Sequence, residues 1–372
     1  MDLHIQSLRV THHNGPKFDT PAYDSTLGPF EDFSPSVLRV RLGDGREGNA
    51  LTTYIEGRVI RTVLAPIVLG RSVRDWPELR ERCFWAIRNL GHAGLAMNAL
   101  SSLDIAAHDL LGQLAGEPLW HTGGDRRSRV EAYGSGGWVN LKNDQLVSFM
   151  NGLVQRGFKT VKMKIGVDQG CSPDKDIERV KIVRDAIGHD VALAVDANQC
   201  WDASTAIRVA KAIADYNIAW FEEPVFAWDR QAAAVFKRQS PIPLASGESE
   251  RLPVGFRELI AMDAVDIVQP QPLCCGGVTG WREVATIAGG AGLPIYGGGP
   301  SFLTCQLLAT APGWVLCEYL VPHMDALTQY YKEKPALDGS MFLLKESPGH
   351  GLRLDDEYLR THPGAAGWER SQ

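Results

Sequence analysis

No stretch of the 372-residue chain is strongly basic, and its formal net charge is only −6. That excludes the electrostatic footprint of nucleic-acid binding or of attraction to an anionic membrane. Its aromatic residues are scattered and form no basic-aromatic stripe. No apolar run reaches the roughly 18 residues needed to cross a bilayer. The opening Met1-Asp-Leu-His-Ile-Gln has no basic region followed by an apolar run, so no signal peptide is expected. The seven cysteines are odd in number and lack a repeated spacing; Cys274 and Cys275 are adjacent, and no CxxC occurs. A disulfide framework or zinc cage is thereby disfavoured. The expectation is small buried hydrophobes in a reducing cytoplasm. A glycine-rich dinucleotide loop is missing too, because "YGSGGWVN" (Tyr133–Asn140) is not a GxGxxG opening a clean helix.

With 44% hydrophobic and 22% charged residues, the composition is that of an ordinary globular protein long enough for two or three domains. Three regions differ in pattern. Residues 1–125 are expected to form an α+β unit. Its strands run over Leu3–Val10, Ser36–Leu42 and Gly48–Tyr54, with an Asp-Gly hairpin signal in "LGDGREG" (Leu42–Gly48). The long polar segment from Thr11 to Pro35 reads as a functional loop of the lid kind. Helices follow from about residue 60. One carries Leu103, Ala106, Ala107, Leu110, Leu111 and Leu114 on a single stripe and stops at Gly116 and Pro118. Residues 126–330 repeat short apolar strand, turn and amphipathic helix. Strands end near Tyr133, Lys164, Val195, Phe221, Ser246, Val268, Tyr296 and Glu318. Eight strands at that spacing predict an α/β fold, a parallel barrel of the TIM type. Residues 331–372 are expected to pack back on the first unit.

In such barrels the chemistry lies beyond the C-terminal strand ends. The second strand, "FKTVKMKIG" (Phe158–Gly166), alternates so that Lys162 and Lys164 share a face. The next three strands end in Asp196, Glu222 and Glu248, 26 residues apart each time, which suggests acids at equal height on neighbouring strands. Capping of the following helices would explain any one of them. Three together would repel unless a cation neutralised them, and hard oxygen ligands with open positions suit Mg2+. A desolvated lysine beside that cation has a lowered pKa and can act as a base toward a carboxylate's α-proton.

These motifs, KxK, Asp196-x-Asn198, Glu222-Glu-Pro and Gly247-Glu-Ser, resemble the enolase superfamily and its mandelate-racemase-like subgroup. The family is the type of site in which a lysine or histidine base works with Mg2+. The resemblance spans nearly the whole chain, including "LDIAAHDLLGQLAGEPL", and implies a modified (β/α)7β barrel with an N-terminal capping domain. It further implies that Asp196, Glu222 and Glu248 bind Mg2+, that Lys164 is the base, and that Lys162 helps hold the substrate carboxylate. Asn198 and Glu318 would lie against the substrate, and the segments Thr11–Pro35 and Leu51–Tyr54 would close the mouth. A homo-oligomer is also implied.

The subgroup's second acid/base, an aspartate after the sixth strand orienting a histidine after the seventh, has no counterpart. Gln271 stands for the aspartate, and the histidine's place falls among Gly297, Gly298 and Gly299. No lysine follows the sixth strand either. Tyr296, Cys274, Cys275 and His323 are the titratable groups left nearby, and Tyr296 is the expected substrate contact and alternative proton donor. His323 and His121 are expected to be structural. Without a second base, racemisation is disfavoured. The expected reaction is α-proton abstraction giving an enediolate, then dehydration of an acid sugar or other hydroxy acid. A racemase, epimerase or lactone cycloisomerase is the alternative. A non-catalytic metal-binding relative and a Schiff-base aldolase are rivals of other classes.

Overall fold

The run Ala192-Leu-Ala-Val-Asp196 shows how the sequence builds the central sheet. Leu193 and Val195 join the large apolar core shared with the helices, whereas Ala194 belongs to a separate small cluster inside the barrel. Side chains alternate across a strand, so one face feeds the outer layer and the other fills the interior. The computed structural model describes residues 2–124 and 126–372; the expected junction at residue 125 lies outside the described residues.

The elements are, in order, β1 (Ile5–Thr11), β2 (Lys17–Ala22), β3 (Phe30–Asp32), β4 (Ser36–Leu42), β5 (Glu47–Thr52), α1 (Tyr54–Val59), α2 (Ala65–Val68), α3 (Trp76–Ala86) and α4 (Leu95–Ala115). Then come β6 (Arg129–Gly136), α5 (Asn143–Gln155), β7 (Thr160–Lys164), α6 (Pro173–Ile187), β8 (Ala192–Asp196), α7 (Ala203–Ala212), β9 (Ile218–Glu222) and α8 (Arg230–Gln239). The chain continues through β10 (Leu244–Ser246), α9 (Pro253–Ala261), β11 (Ile267–Val268), α10 (Gly277–Gly290), β12 (Ile295–Gly297), α11 (Ser301–Leu308) and β13 (Val315–Leu320). Short elements follow: α12 (His323–Leu327), β14 (Tyr331–Glu333), β15 (Ala336–Asp338), β16 (Met341–Leu343), β17 (Arg353–Leu354), α13 (Asp356–Thr361) and β18 (Trp368–Ser371).

Strands β6 to β13 pair in sequence order, all parallel, and β13 returns to β6 to close the ring. With a helix in each of the seven intervals, this is the expected (β/α)7β barrel. The lower interior is plugged by Tyr133, Ala194, Trp220, Ala245, Ile267 and Leu316. The N-terminal sheet has the order β18-β1-β4-β5. The strand expected to run to Tyr54 stops at Thr52. There Thr53 accepts from the Glu56 N–H, the Glu56 side chain accepts from the Thr53 N–H, and α1 begins. The fourth strand, β18, was not expected as such: "WERS" lacks a strand-like alternation and pairs only through distant β1.

The segment from Thr11 to Pro35 is not the structureless loop its composition suggests. It contains the hairpin β2–β3. Asp104, fully buried on α4, accepts from Trp76 Nε1 at 2.9 Å and from the N–H and Oγ1 of Thr279 on α10 at 2.9 and 2.8 Å. This carboxylate locks the capping helices onto the barrel. Among the described residues no helix is long and apolar enough to cross a membrane.

Candidate active site

Strand pairing sets the site. Lys164 on β7 is directly opposite Asp196 on β8, and Asp196 is opposite Glu222 on β9. The lysines point into the barrel interior, where Lys162 is 1% exposed. Lys162 Nζ donates to Glu222 Oε1 at 2.5 Å, lies 2.9 Å from Glu318 Oε1 and is 3.4 Å from Asp196 Oδ2. Lys164 Nζ donates to Asp196 Oδ2 at 2.6 Å. Equal spacing in sequence does not give Glu248 equal height, however. Glu222 pairs with Ala245 on β10, so Glu248 stands three residues higher, in the loop after the strand. Its Oε2 accepts from Gln271 Nε2 at 3.0 Å.

Above these groups opens a cavity of about 500 Å³. Lys162, Lys164, Glu248 and Glu318 line it, while Asp196 and Glu222 lie beneath the ammonium groups, deeply buried. Asn198 sits beside Asp196, its N–H donating to Asp196 Oδ1 at 2.9 Å, but does not line the cavity.

The electrostatics are those of an acid-rich cluster. Burial works against both ammonium groups, yet Asp196 holds Lys164 above the usual lysine range and Glu222 does the same for Lys162. The lowered pKa expected of Lys164 is thus not found with the carboxylates alone, because ion pairing outweighs desolvation. Burial pushes Glu222 and Glu248 up, Asp196 adding to it in each case, and it pushes Glu223 up with help from Glu248. Asp196 and Glu318 are held low by the lysines despite burial.

Among the described residues the acids do not form a ready-made metal cage, since lysines occupy the space between them. The donor set nevertheless fits a divalent cation. Four carboxylates, Asp196, Glu222, Glu248 and Glu318, with Glu223 beside them, outnumber the two ammonium groups, and burial already pushes Glu222, Glu223 and Glu248 toward their neutral forms. Two buried oxygens, Asn198 Oδ1 and Glu223 Oε1, have no hydrogen-bond partner. Buried oxygen acceptors without donors, beside uncompensated carboxylates, are what a hard cation satisfies.

A model of the enolase C-terminal domain-like family matches residues 145–358. The chain belongs to the enolase superfamily. It is 30% identical over 363 residues to the 3,6-anhydro-alpha-L-galactonate cycloisomerase of Streptomyces coelicolor, covering 95% of this chain and 98% of that protein. It is also 30% identical to the L-talarate/galactarate dehydratase of Salmonella typhimurium over 358 residues, 93% of this chain and 86% of the relative. A crystal structure of a racemase from Streptomyces coelicolor with bound magnesium superimposes with a TM-score of 0.90 at 28% identity, covering 97% of this chain and all of that one. The Salmonella dehydratase liganded with Mg and L-lyxarohydroxamate gives 0.89 at 26% identity, covering 99% and 94%.

Around the sixth and seventh strands, Gln271 and the run Gly297–Gly299 stand close to Glu318. A Cβ on Gly298 would lie 3.2 Å from Glu318 Oε2, and Gly299 has φ +82° with its added Cβ 3.4 Å from Gln271 Oε1. A side chain there would crowd the carboxylate or strain the backbone.

Tyr296 is not at the mouth, contrary to expectation. It points inward one layer too low, packs on Trp220 with ring centroids 5.1 Å apart, and borders a pocket at the opposite end with Pro294 and Trp314. Gly298, two residues on, holds the mouth-level position. His121 pairs with Glu117 and Glu346, away from the cavity. Of the cysteines, Cys83, Cys275, Cys305 and Cys317 are buried, whereas Cys171 is exposed in the loop after β7 and Cys274 lines the cavity. Burial raises the Cys274 thiol to about 11, so it is a poor nucleophile.

His323, expected to be structural, stands at the cavity. It lines the cavity, ringed by Phe18, Phe30, Phe33 and Trp138 at centroid distances of 5.1–5.7 Å. Its Nδ1 is buried without a partner. Burial, with Lys164 nearby, pulls the imidazole down to about 4, so it is neutral at physiological pH. Three of those rings come from the Thr11–Pro35 segment, a contact no local pattern discloses.

Proposed function

We propose that the chain is a Mg2+-dependent enzyme that abstracts the α-proton of a small carboxylate, an acid sugar or other hydroxy acid, and then eliminates water. The observation that carries this reading is Lys164 Nζ, 2.6 Å from Asp196 Oδ2 and on the wall of a closed-ended cavity beside Glu248. Asp196, Glu222 and Glu248 would hold the cation. Bound Mg2+ supplies positive charge that anchors the substrate carboxylate, accepts the negative charge developing on it and opposes protonation of Lys164.

Lys164 takes the proton from the α-carbon. Lys162, fixed between Glu222 and Glu318, orients the substrate carboxylate. For syn loss of the β-hydroxyl, the Lys164 ammonium returns its proton to the leaving oxygen, so one relay is enough. The lower-layer Tyr296 does not serve. Gln271 and Gly297–Gly299, in place of an Asp–His pair, support a reading with one conventional base and speak against two-base racemisation. Lactone cycloisomerisation is the second reading. It also needs one relay, and the Streptomyces cycloisomerase relative supports it.

A homo-oligomer is supported by an exposed apolar patch of Phe226, Trp228, Val254 and Met262. A reducing, cytoplasmic setting is supported by seven free cysteines.

The test is a screen of acid sugars and hydroxy acids with Mg2+ in D2O, following deuterium entry at the α-carbon and loss of water. Lys164→Ala is expected to fold and to lose exchange by about 100-fold or more, the low end for general base catalysis. Unchanged exchange would remove Lys164 from its role, and no exchange on any carboxylate would favour a non-catalytic metal-binding relative.

A further inference from the structure

The cavity has two chemically different ends. Both lysines lie at the barrel end, and among the described lining residues they are the only lysines or arginines. The far end is closed by the capping region, with Leu51, Thr52, Thr53 and Glu56 after β5 and Asn98 on α4. Glu56 is 6% exposed, and its contacts are all neutral. Its Oε2 accepts from the Thr53 N–H at 2.9 Å and from Thr52 Oγ1 at 3.3 Å, and its Oε1 accepts from Asn98 Nδ2 at 3.0 Å. No cation pairs with it among the described residues.

That hydrogen bond also orients the Asn98 amide. With Nδ2 committed to Glu56, Oδ1 is left buried and without a donor. Glu56 Oε1 keeps a second lone pair free. The spare capacity at this end is therefore for accepting hydrogen bonds, next to a buried negative charge. His323, neutral near pH 7, brings no opposing charge.

Resting on the reading that the protein acts on carboxylates, we infer that the far end recognises the hydroxyl groups of a substrate with a single carboxylate and rejects a second one. A hydroxyl donates to Glu56 Oε1 and completes its hydrogen bonding. A distal carboxylate has no proton to donate near neutral pH, finds no ammonium or guanidinium among the lining residues, and meets the largely buried Glu56 carboxylate. Like charges brought together in this way repel and weaken binding. The far end therefore sorts sugar monoacids from diacids.

Matched pairs test this: D-gluconate against D-glucarate, and D-galactonate against galactarate, along with their epimers. Each is measured with the Mg2+-loaded protein for α-deuterium exchange in D2O and for affinity by calorimetry. The monoacid of a pair that is a ligand is expected to lead by about 100-fold or more in affinity. Glu56→Gln, with a melting scan to verify folding, should cut that lead at least about tenfold. Equal or better binding of the diacid, binding of neither class, or an unchanged ratio in Glu56→Gln would overturn the inference. Preferential monoacid binding with no exchange on any compound would leave selectivity standing and would instead overturn the catalytic reading.

Discussion

Replacing Lys162 with methionine tests whether the cluster at the barrel mouth is short of positive charge. The ammonium is 1% exposed and touches three carboxylates, at 2.5, 2.9 and 3.4 Å. At an effective dielectric of about 20, each gross attraction is about 5–7 kcal/mol. Desolvation of the ions offsets most of this, and removal of one member of a buried ion set leaves a net loss of about 3–5 kcal/mol. For 372 residues the unfolding entropy is about 0.8 kcal/mol/K, so the melting temperature of Lys162→Met should fall by about 4–6 °C. Methionine keeps the apolar stem, so little of that is lost packing. The assay is thermal unfolding by circular dichroism, with chelator and then with saturating Mg2+. The divalent ion would compensate two of these carboxylates, Asp196 and Glu222, so the gap should shrink to less than half when it is present. A variant melting within about 1 °C of wild type in chelator, or a gap as wide with Mg2+ as without, would refute the reasoning.

Two further predictions concern pH and carry opposite signs. His323 titrates near 4 in the fold against an ordinary 6.5, so the unfolded chain takes the proton first. Stability present above pH 6.5 is lost as pH falls toward 4, by at most about 3 kcal/mol. His323→Phe preserves the aromatic packing and should abolish that acid loss; if Nδ1 also bonds substrate, turnover falls about tenfold while stability at pH 8 is retained. Loss of stability at pH 8 with unchanged turnover would make the residue purely structural. Asp176, whose carboxylate accepts from the Val167 N–H in the loop after Lys164, is raised by burial to about 6 from an ordinary 3.8. The unfolded chain releases that proton first, so the contribution of Asp176 is greatest below about pH 4 and is lost as pH rises toward 6, by at most about 3 kcal/mol. Asp176→Asn should flatten this decline in urea titrations across pH 4–7; an unaltered slope would count against it.

The barrel and the acids at its strand ends were legible because they obey local rules. Alternation in "VKMKIG" puts both lysines on one face, and repeated βα units bring Asp196 and Glu222 into register. What failed depended on stagger between strands. Twenty-six residues separate Glu222 from Glu248 just as they separate Asp196 from Glu222, yet β10 ends early and Glu248 rises above the ladder. Tyr296 was misplaced by one layer for the same reason: a strand pattern shows which face, not which height. Glu56 was hidden differently. Thr53-Tyr-Ile-Glu56 is a capping box, sufficient to explain both residues locally, and only the folding of α4 beside it discloses the cavity wall. β18 and the rings around His323 come from contacts hundreds of residues apart, which no window of sequence contains.

The hairpin β2–β3 has a consequence for how such a protein changes over generations. Its strands pair only with each other, and its anchors reach backbone atoms: Val139 N–H donates to Tyr23 O at 3.0 Å, and Ser25 Oγ donates to Ala197 O at 2.5 Å. Attachment by main-chain oxygens on one side and a small hydroxyl on the other makes few demands on the residues in between. Phe30 and Phe33 can therefore drift, and the roof over the cavity with them, while the ladder that holds Lys164 opposite Asp196 is left alone. If Lys164 is the base, as proposed, proton abstraction is inherited on the barrel and part of the cavity roof on the hairpin segment, while Glu56 and Asn98 sit on a third piece of chain.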